Sequence, residues 1–82
     1  MPYYGSKVLG SGDILTSVAG AEILTEGSVR GFELVNDQPC TISINGGDPI
    51  HFRALQGVAL ELAHSVKIQE NGITFNWIGT LQ

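Results

Sequence analysis

The sequence has 82 residues, which leaves room for one domain, and its 4 Lys and Arg against 8 Asp and Glu give a net charge of −4. The four cations, Lys7, Arg30, Arg53 and Lys67, are scattered, so the basic footprint that nucleic-acid binding requires is absent. Charged residues are 15% and hydrophobic residues 43%, against roughly 25% charged in an average soluble domain, which describes a folded domain with a weakly charged surface and not a disordered chain.

A chain this short buries only about 60% of its extended surface on folding, so small domains lean on disulfides, metals or oligomerisation. Cys40 is the single cysteine and can form no intrachain disulfide. No Cys/His cluster has zinc-site spacing. Self-association is the support that remains. Met1–Gly10 carries one Lys and lacks the apolar run of a signal peptide. No stretch approaches the roughly 18 apolar residues of a membrane helix. Asn36, Asn45, Asn71 and Asn76 are not glycosylation acceptors, because Ser or Thr never follows two positions later. These features predict a soluble, reduced protein made in the cytoplasm, with no membrane partner.

In chain order, residues 1–12 read as an N-terminal arm containing Tyr3 and Tyr4, and residues 13–82 as a single β-domain. Strands are expected around Lys7–Leu9 and within Ile14–Thr25, where Thr16, Val18, Ile23 and Thr25 favour extended chain. A short helix capped by Asp13 and bearing Ile14, Leu15 and Val18 stays open as an alternative, although Gly20 would cost it about 1 kcal/mol. From Ser28 onward, apolar and polar residues alternate with period two. Phe32 and Leu34 share a face, then Cys40, Ile42 and Ile44, then Ile50, Phe52 and Ala54. The same holds for Val58, Leu60 and Leu62, for Val66 and Ile68, and for Ile73, Phe75 and Trp77. Val29, Val35, Leu55, Ala59, Ala63 and Ile78 fall on the opposite faces, where a cluster would be an oligomer contact.

The breaks carry turn chemistry. Asn36-Asp37-Gln38-Pro39 closes a turn through side-chain oxygens and a fixed φ. Asn45-Gly46-Gly47-Asp48-Pro49 tolerates positive φ and predicts a hairpin or bulged loop. Asn71-Gly72 is the strongest hairpin signal, because a type I′ turn needs positive φ at both central residues. Short strands divided by turns every 8–12 residues predict an all-β fold, a small antiparallel β-sandwich or jelly-roll-like domain.

Candidate chemical groups are sparse. His51, Asp48, Glu61 and His64 are the available acid–base or metal-ligand atoms, but two histidines without fixed spacing are a weak metal signal, and Asp48 suits the turn before Pro49. Cys40 shares the apolar parity of Ile42 and Ile44 and reads as a small buried hydrophobe without a cation to activate it. No serine stands in a Gly-x-Ser-x-Gly elbow. Gly10-Ser11-Gly12-Asp13 lacks the Lys and Ser/Thr of a phosphate loop. Glu61, Arg53 and Lys67 are expected on the wet faces of successive strands, where cross-strand pairs contribute about 0.2–1 kcal/mol each. Phe32, Phe52, Phe75 and Trp77 have core parity, which leaves Tyr3 and Tyr4 as aromatic anchors against a neighbouring subunit. No catalytic residue, metal site or cofactor is expected.

Three stretches carry a resemblance: Phe32-Glu33-Leu34-Val35-Asn36-Asp37, then Thr41-Ile42-Ser43-Ile44-Asn45-Gly46-Gly47-Asp48-Pro49-Ile50, then Asn71-Gly72-Ile73-Thr74-Phe75-Asn76-Trp77-Ile78-Gly79. In this order they resemble small virion structural proteins of tailed bacteriophages, the head-decoration, head-fibre-base or tail-accessory subunits. The resemblance spans the last two-thirds of the chain. It implies a non-enzymatic, trimeric β-domain repeated on a virion, made in the bacterial cytoplasm and docked on a capsid or tail assembly. It carries over no functional residue, because such proteins act through surfaces. The alternative function is a carbohydrate- or ligand-binding β-module for host recognition, which requires an exposed aromatic or a concave polar pocket.

Overall fold

The structure, a computed structural model, describes residues 8–10 and 14–81. The described chain forms eight strands and no helix. They are β1 (Val8–Gly10), β2 (Leu15–Thr16), β3 (Val29–Asn36), β4 (Cys40–Ile44), β5 (Ile50–Phe52), β6 (Val58–Ala63), β7 (Val66–Ile68) and β8 (Thr74–Leu81). Every pairing is antiparallel. The all-β expectation holds, and so does the division into a two-sheet sandwich.

The larger sheet has the order β1-β8-β3-β6, with β2 also paired to β8. The smaller sheet has the order β5-β4-β7. Glu22 forms a bridge with Lys67 of β7, and the N–H groups of Gly20 and Ile23 donate to the carbonyls of Ile68 and Val66 at 2.9 Å each. The 20–23 segment therefore acts as a rudimentary outer strand of the smaller sheet. β1 and β2 lie along one side of β8 and act as a single interrupted strand. With this count the sheets read β1/β2-β8-β3-β6 and 20–23-β7-β4-β5. That is the order of an eight-stranded jelly roll built from two Greek keys.

The core forms where the alternating faces of both sheets meet. Phe32, Leu34, Ile42, Val66 and Ile68 are buried almost completely, and Val29, Cys40, Phe52 and Phe75 join the same cluster. Each fully buried side chain of this size stabilises the fold by about 1.5–3 kcal/mol relative to exposure. Trp77 is half-buried against the cluster, its ring centroid 5.7 Å from that of Phe32.

Four sequence expectations need correction. First, the strand expected within Ile14–Thr25 is shorter than expected, Leu15–Thr16 with an isolated bridge at Glu22, and the alternative helix does not form. The remainder crosses from the larger to the smaller sheet, held by the irregular bonds just described. Second, Ile50 keeps the parity of Ile42 opposite it but lies on the edge strand β5 and is 53% exposed, and Val29 and Ala63 are fully buried whereas Leu62 is 40% exposed. The period-two count fails at Gly31, whose φ of 59° accompanies a bulge between Arg30 and Glu33 against β8. One extra residue inverts the parity of what precedes it, so Val29 turns inward. β6, paired to β3 through this region, reverses with it: Ala63 sits opposite Val29 and Leu62 opposite Arg30.

Third, Asn71-Gly72 does not close a hairpin, because β7 and β8 belong to different sheets. Gly72 has φ 78° but Asn71 is not in the left-handed region, so a type I′ turn is excluded. The segment is instead tied to the 17–19 stretch: the Gly72 N–H donates to the Ser17 carbonyl at 3.0 Å, and Asn71 Oδ1 accepts from the Ala19 N–H at 2.8 Å. The type I′ geometry occurs at Asn45-Gly46, with φ values of 51° and 77° and a 2.9 Å bond from the Gly47 N–H to the Ile44 carbonyl. Fourth, Glu61 is not beside Arg53 or Lys67. It lies on β6 in the larger sheet, whereas Lys67 lies on β7 and Arg53 follows β5, both in the smaller sheet.

Candidate interaction surfaces

Tyr3 and Tyr4, the residues expected at an interface, lie outside the described residues, as do Ser11-Gly12-Asp13. Gly10 is in β1, where an added Cβ would come within 2.5 Å of the Trp77 carbonyl oxygen. This glycine serves close strand pairing.

The titratable groups are placed apart. His51 is exposed on β5 opposite Thr41. His64 is exposed in the β6–β7 turn, where its N–H donates to Asn45 Oδ1 at 2.8 Å. Asp48 is exposed in the β4–β5 loop. Among the described residues no three His, Cys, Asp or Glu side chains come together as a cation site. Cys40 is buried. Burial pushes its thiol up, the Glu70 carboxylate adds to this, and a hydrogen bond with Asn36 offsets part of it. A thiol held protonated is a poor nucleophile.

The polar side chains that sequence reasoning missed build the loops. Asn36, read as a turn residue, is fully buried. Its Nδ2 donates to the carbonyls of Gln38 at 2.8 Å and Arg53 at 2.9 Å, and its Oδ1 accepts from the Gly57 N–H at 3.0 Å. One side chain thus fastens the β3–β4 and β5–β6 connections together. Glu22 Oε1 accepts from Ser65 Oγ at 2.6 Å, and Oε2 accepts from the Val66 and Leu24 N–H groups at 2.8 and 3.1 Å. Burial alone would raise the Glu22 carboxyl, but these donors, aided by the Lys67 charge, hold it below the ordinary value. Glu70 is likewise lowered, first by the Thr41 hydroxyl and then by the Thr41 N–H, at 2.7 and 2.8 Å. Among the described residues no buried side-chain polar atom lacks a partner. All this polar chemistry is consumed internally, and none of it converges on open space.

The outer face of the larger sheet also carries exposed apolar side chains. Register places Glu33 between Ile78 and Ala59, Arg30 between Thr80 and Leu62, and Val35 beside Asn76 on the outer face of the larger sheet. Ile78 is 51% exposed, Val35 43% and Leu62 40%. Exposure of Val35, Ala59 and Ile78 is as expected from alternation, and Leu62 joins them through the parity change at Gly31. The result is a set of exposed apolar side chains across β8, β3 and β6, separated by Glu33, Arg30 and Glu61.

A second apolar feature lies at the end of the sandwich. Where residues 15–23 cross between the sheets, they leave an open cleft of about 210 Å³ with Ile68, Phe75 and Trp77 in its wall. Leu15 and Val18 line it and are 40% and 65% exposed. Of the wall residues, Ile68 and Phe75 are buried and Trp77 is half-buried.

There is no helix among the described residues, and so none long and apolar enough to cross a membrane. Comparison of the chain with family models, with curated proteins and with solved structures finds no match.

Proposed function

We propose that this chain is a non-enzymatic structural subunit of a phage particle, which self-associates as a trimer and docks on a capsid or tail assembly. The observation that carries the reading is the set of exposed apolar side chains on the outer face of the larger sheet, Ile78, Val35 and Leu62. An 82-residue chain has little core of its own, and covering this face in an assembly supplies further burial. The jelly-roll order adds fold-level support, since viral capsid domains use this architecture. That support is analogy, because a fold hosts many functions. The N-terminal arm with Tyr3 and Tyr4 is the proposed anchor on a neighbouring subunit.

The test is deletion of residues 1–7, which removes Tyr3 and Tyr4 but keeps β1 with its core residue Leu9, in the particle-producing host, with particle-bound protein quantified by mass spectrometry of purified virions. The full chain is expected on the particle, and the deletion is expected to lower its occupancy at least tenfold. Absence of the full chain from particles contradicts the virion reading. Equal occupancy with and without residues 1–7 contradicts the role given to Tyr3 and Tyr4.

A further inference from the structure

We propose that the cleft beneath the 15–23 crossing is a binding site for a small, uncharged aromatic molecule. The inference is independent of the assembly reading, which concerns the outer face of the larger sheet.

Size is the first argument. The cleft holds about 210 Å³, somewhat more than the roughly 150 Å³ of an apolar cavity that stays dry and takes up benzene. One aromatic ring with a small substituent fits. Wall chemistry is the second. The half-buried Trp77 and the exposed Leu15 and Val18 present aromatic and apolar surface above the buried Ile68 and Phe75, and aromatic side chains favour offset or edge-to-face contact with another ring.

The third argument is what the wall withholds. Ser17 lines the cleft, but its hydroxyl donates to the Glu70 carbonyl at 2.6 Å and accepts from the Ile73 N–H at 2.9 Å. Glu22 also lines it, with both carboxylate oxygens occupied by Ser65, Val66 and Leu24. A sugar would find the rim hydroxyl of Thr16 but would pay a desolvation cost for each of its other hydroxyls left unpaired. An anion would meet the negative charge of Glu22. A neutral ring meets neither penalty. The crossing that roofs the site is fixed by the Glu22 bonds and by the Ser17 N–H donating to the Ile73 carbonyl at 2.8 Å, so the opening exists before a ligand arrives and little ordering cost attends binding.

The experiment is a titration of the isotopically labelled full chain with toluene, followed by amide and indole NMR shifts, with benzoate as the charged counterpart. Toluene is expected to give saturable shifts at Ser17, Ile23, Phe75 and the Trp77 indole, and benzoate to bind at least tenfold more weakly. Ala21→Trp, at an exposed position lining the cleft, is expected to weaken toluene binding at least tenfold while the remaining spectrum keeps its folded dispersion. Val18→Asp, on the exposed rim, provides a second variant and is expected to weaken it at least threefold. The proposal is overturned by the absence of saturable shifts up to the solubility of toluene, by equal binding of benzoate, or by unchanged binding in both folded variants. It is also overturned if dilution alone moves the same resonances without toluene, since a second copy of the chain would then be the occupant.

Discussion

Glu22 and Ser65 stand 43 positions apart in sequence, yet the Ser65 hydroxyl donates to the Glu22 carboxylate at 2.6 Å. Through this bond and those from the Val66 and Leu24 N–H groups, the crossing from the larger sheet is fastened to the first residues of β7. The relationship sets a carboxylate beside the buried Leu24 as the clasp of the least regular part of the fold.

The clasp predicts acid sensitivity. Glu22 and Glu70 both have carboxyls held below their ordinary value of 4.5. A group whose pKa is lower in the folded than in the unfolded chain adds stability above the unfolded value, and that stability is lost as pH falls through the folded one. Urea midpoints are therefore expected to be flat from pH 7 to 5.5 and to fall below pH 4.5. Glu22→Gln keeps an acceptor for Ser65 but turns a donor toward the backbone N–H groups, so it is expected to cost about 1–3 kcal/mol at pH 7 and to reduce the acid dependence. An unchanged acid dependence in this variant removes Glu22 from the role of clasp.

Asn36 joins two loops from a fully buried position. Asn36→Ala leaves the Gly57 N–H and the carbonyls of Gln38 and Arg53 without this partner. Each buried group left unsatisfied costs about 1–3 kcal/mol, so chemical denaturation is expected to show a loss of about 2–4 kcal/mol. A loss below about 0.5 kcal/mol, the range of ordinary surface changes, contradicts the hub assignment.

Gly31 sets which side chains of β3 and β6 face the core. An added Cβ there meets nothing within 4 Å, so the obstacle to replacement is the φ of 59°. Gly31→Val is expected to cost about 1–2 kcal/mol, and Gly31→Asn less, because Asn tolerates the left-handed region. Equal stability of all three forms in urea titration shows that the bulge is not conformationally required.

Much of the fold was legible in the sequence because alternation reports directly on a strand with one buried face. The cores of β3, β4, β7 and β8 follow from Phe32 and Leu34, Cys40 and Ile42, Val66 and Ile68, and Phe75. Alternation is a local count, however, and one left-handed residue at Gly31 inverted it for Val29 and Ala63. Asn71-Gly72 was misread for a related reason. A dipeptide states which turns it tolerates, but partner choice depends on whether β7 finds β4 or β8. Asn36 read only as a turn residue, and Glu22 and Ser17 gave no signal, since the backbone groups bound by the three include ones 21, 44 and 56 positions away. The outer face was half legible: Val35, Ala59 and Ile78 have the right parity, but only register shows that Ile78 and Ala59 flank Glu33 and that Leu62 extends the surface. The end cleft depends on how residues 15–23 cross between sheets, which no local pattern encodes.

The central claim, that the outer face of the larger sheet is buried between copies of this chain, is tested most directly by native mass spectrometry of the full chain beside Ile78→Asp at about 10 μM. Ile78 is 51% exposed in the single chain, so the substitution leaves the core intact and places a second carboxylate beside Glu33 in the proposed contact. The account predicts a trimer for the unaltered chain and a folded monomer for the variant. A monomer for both, or a trimer that survives the substitution, contradicts it.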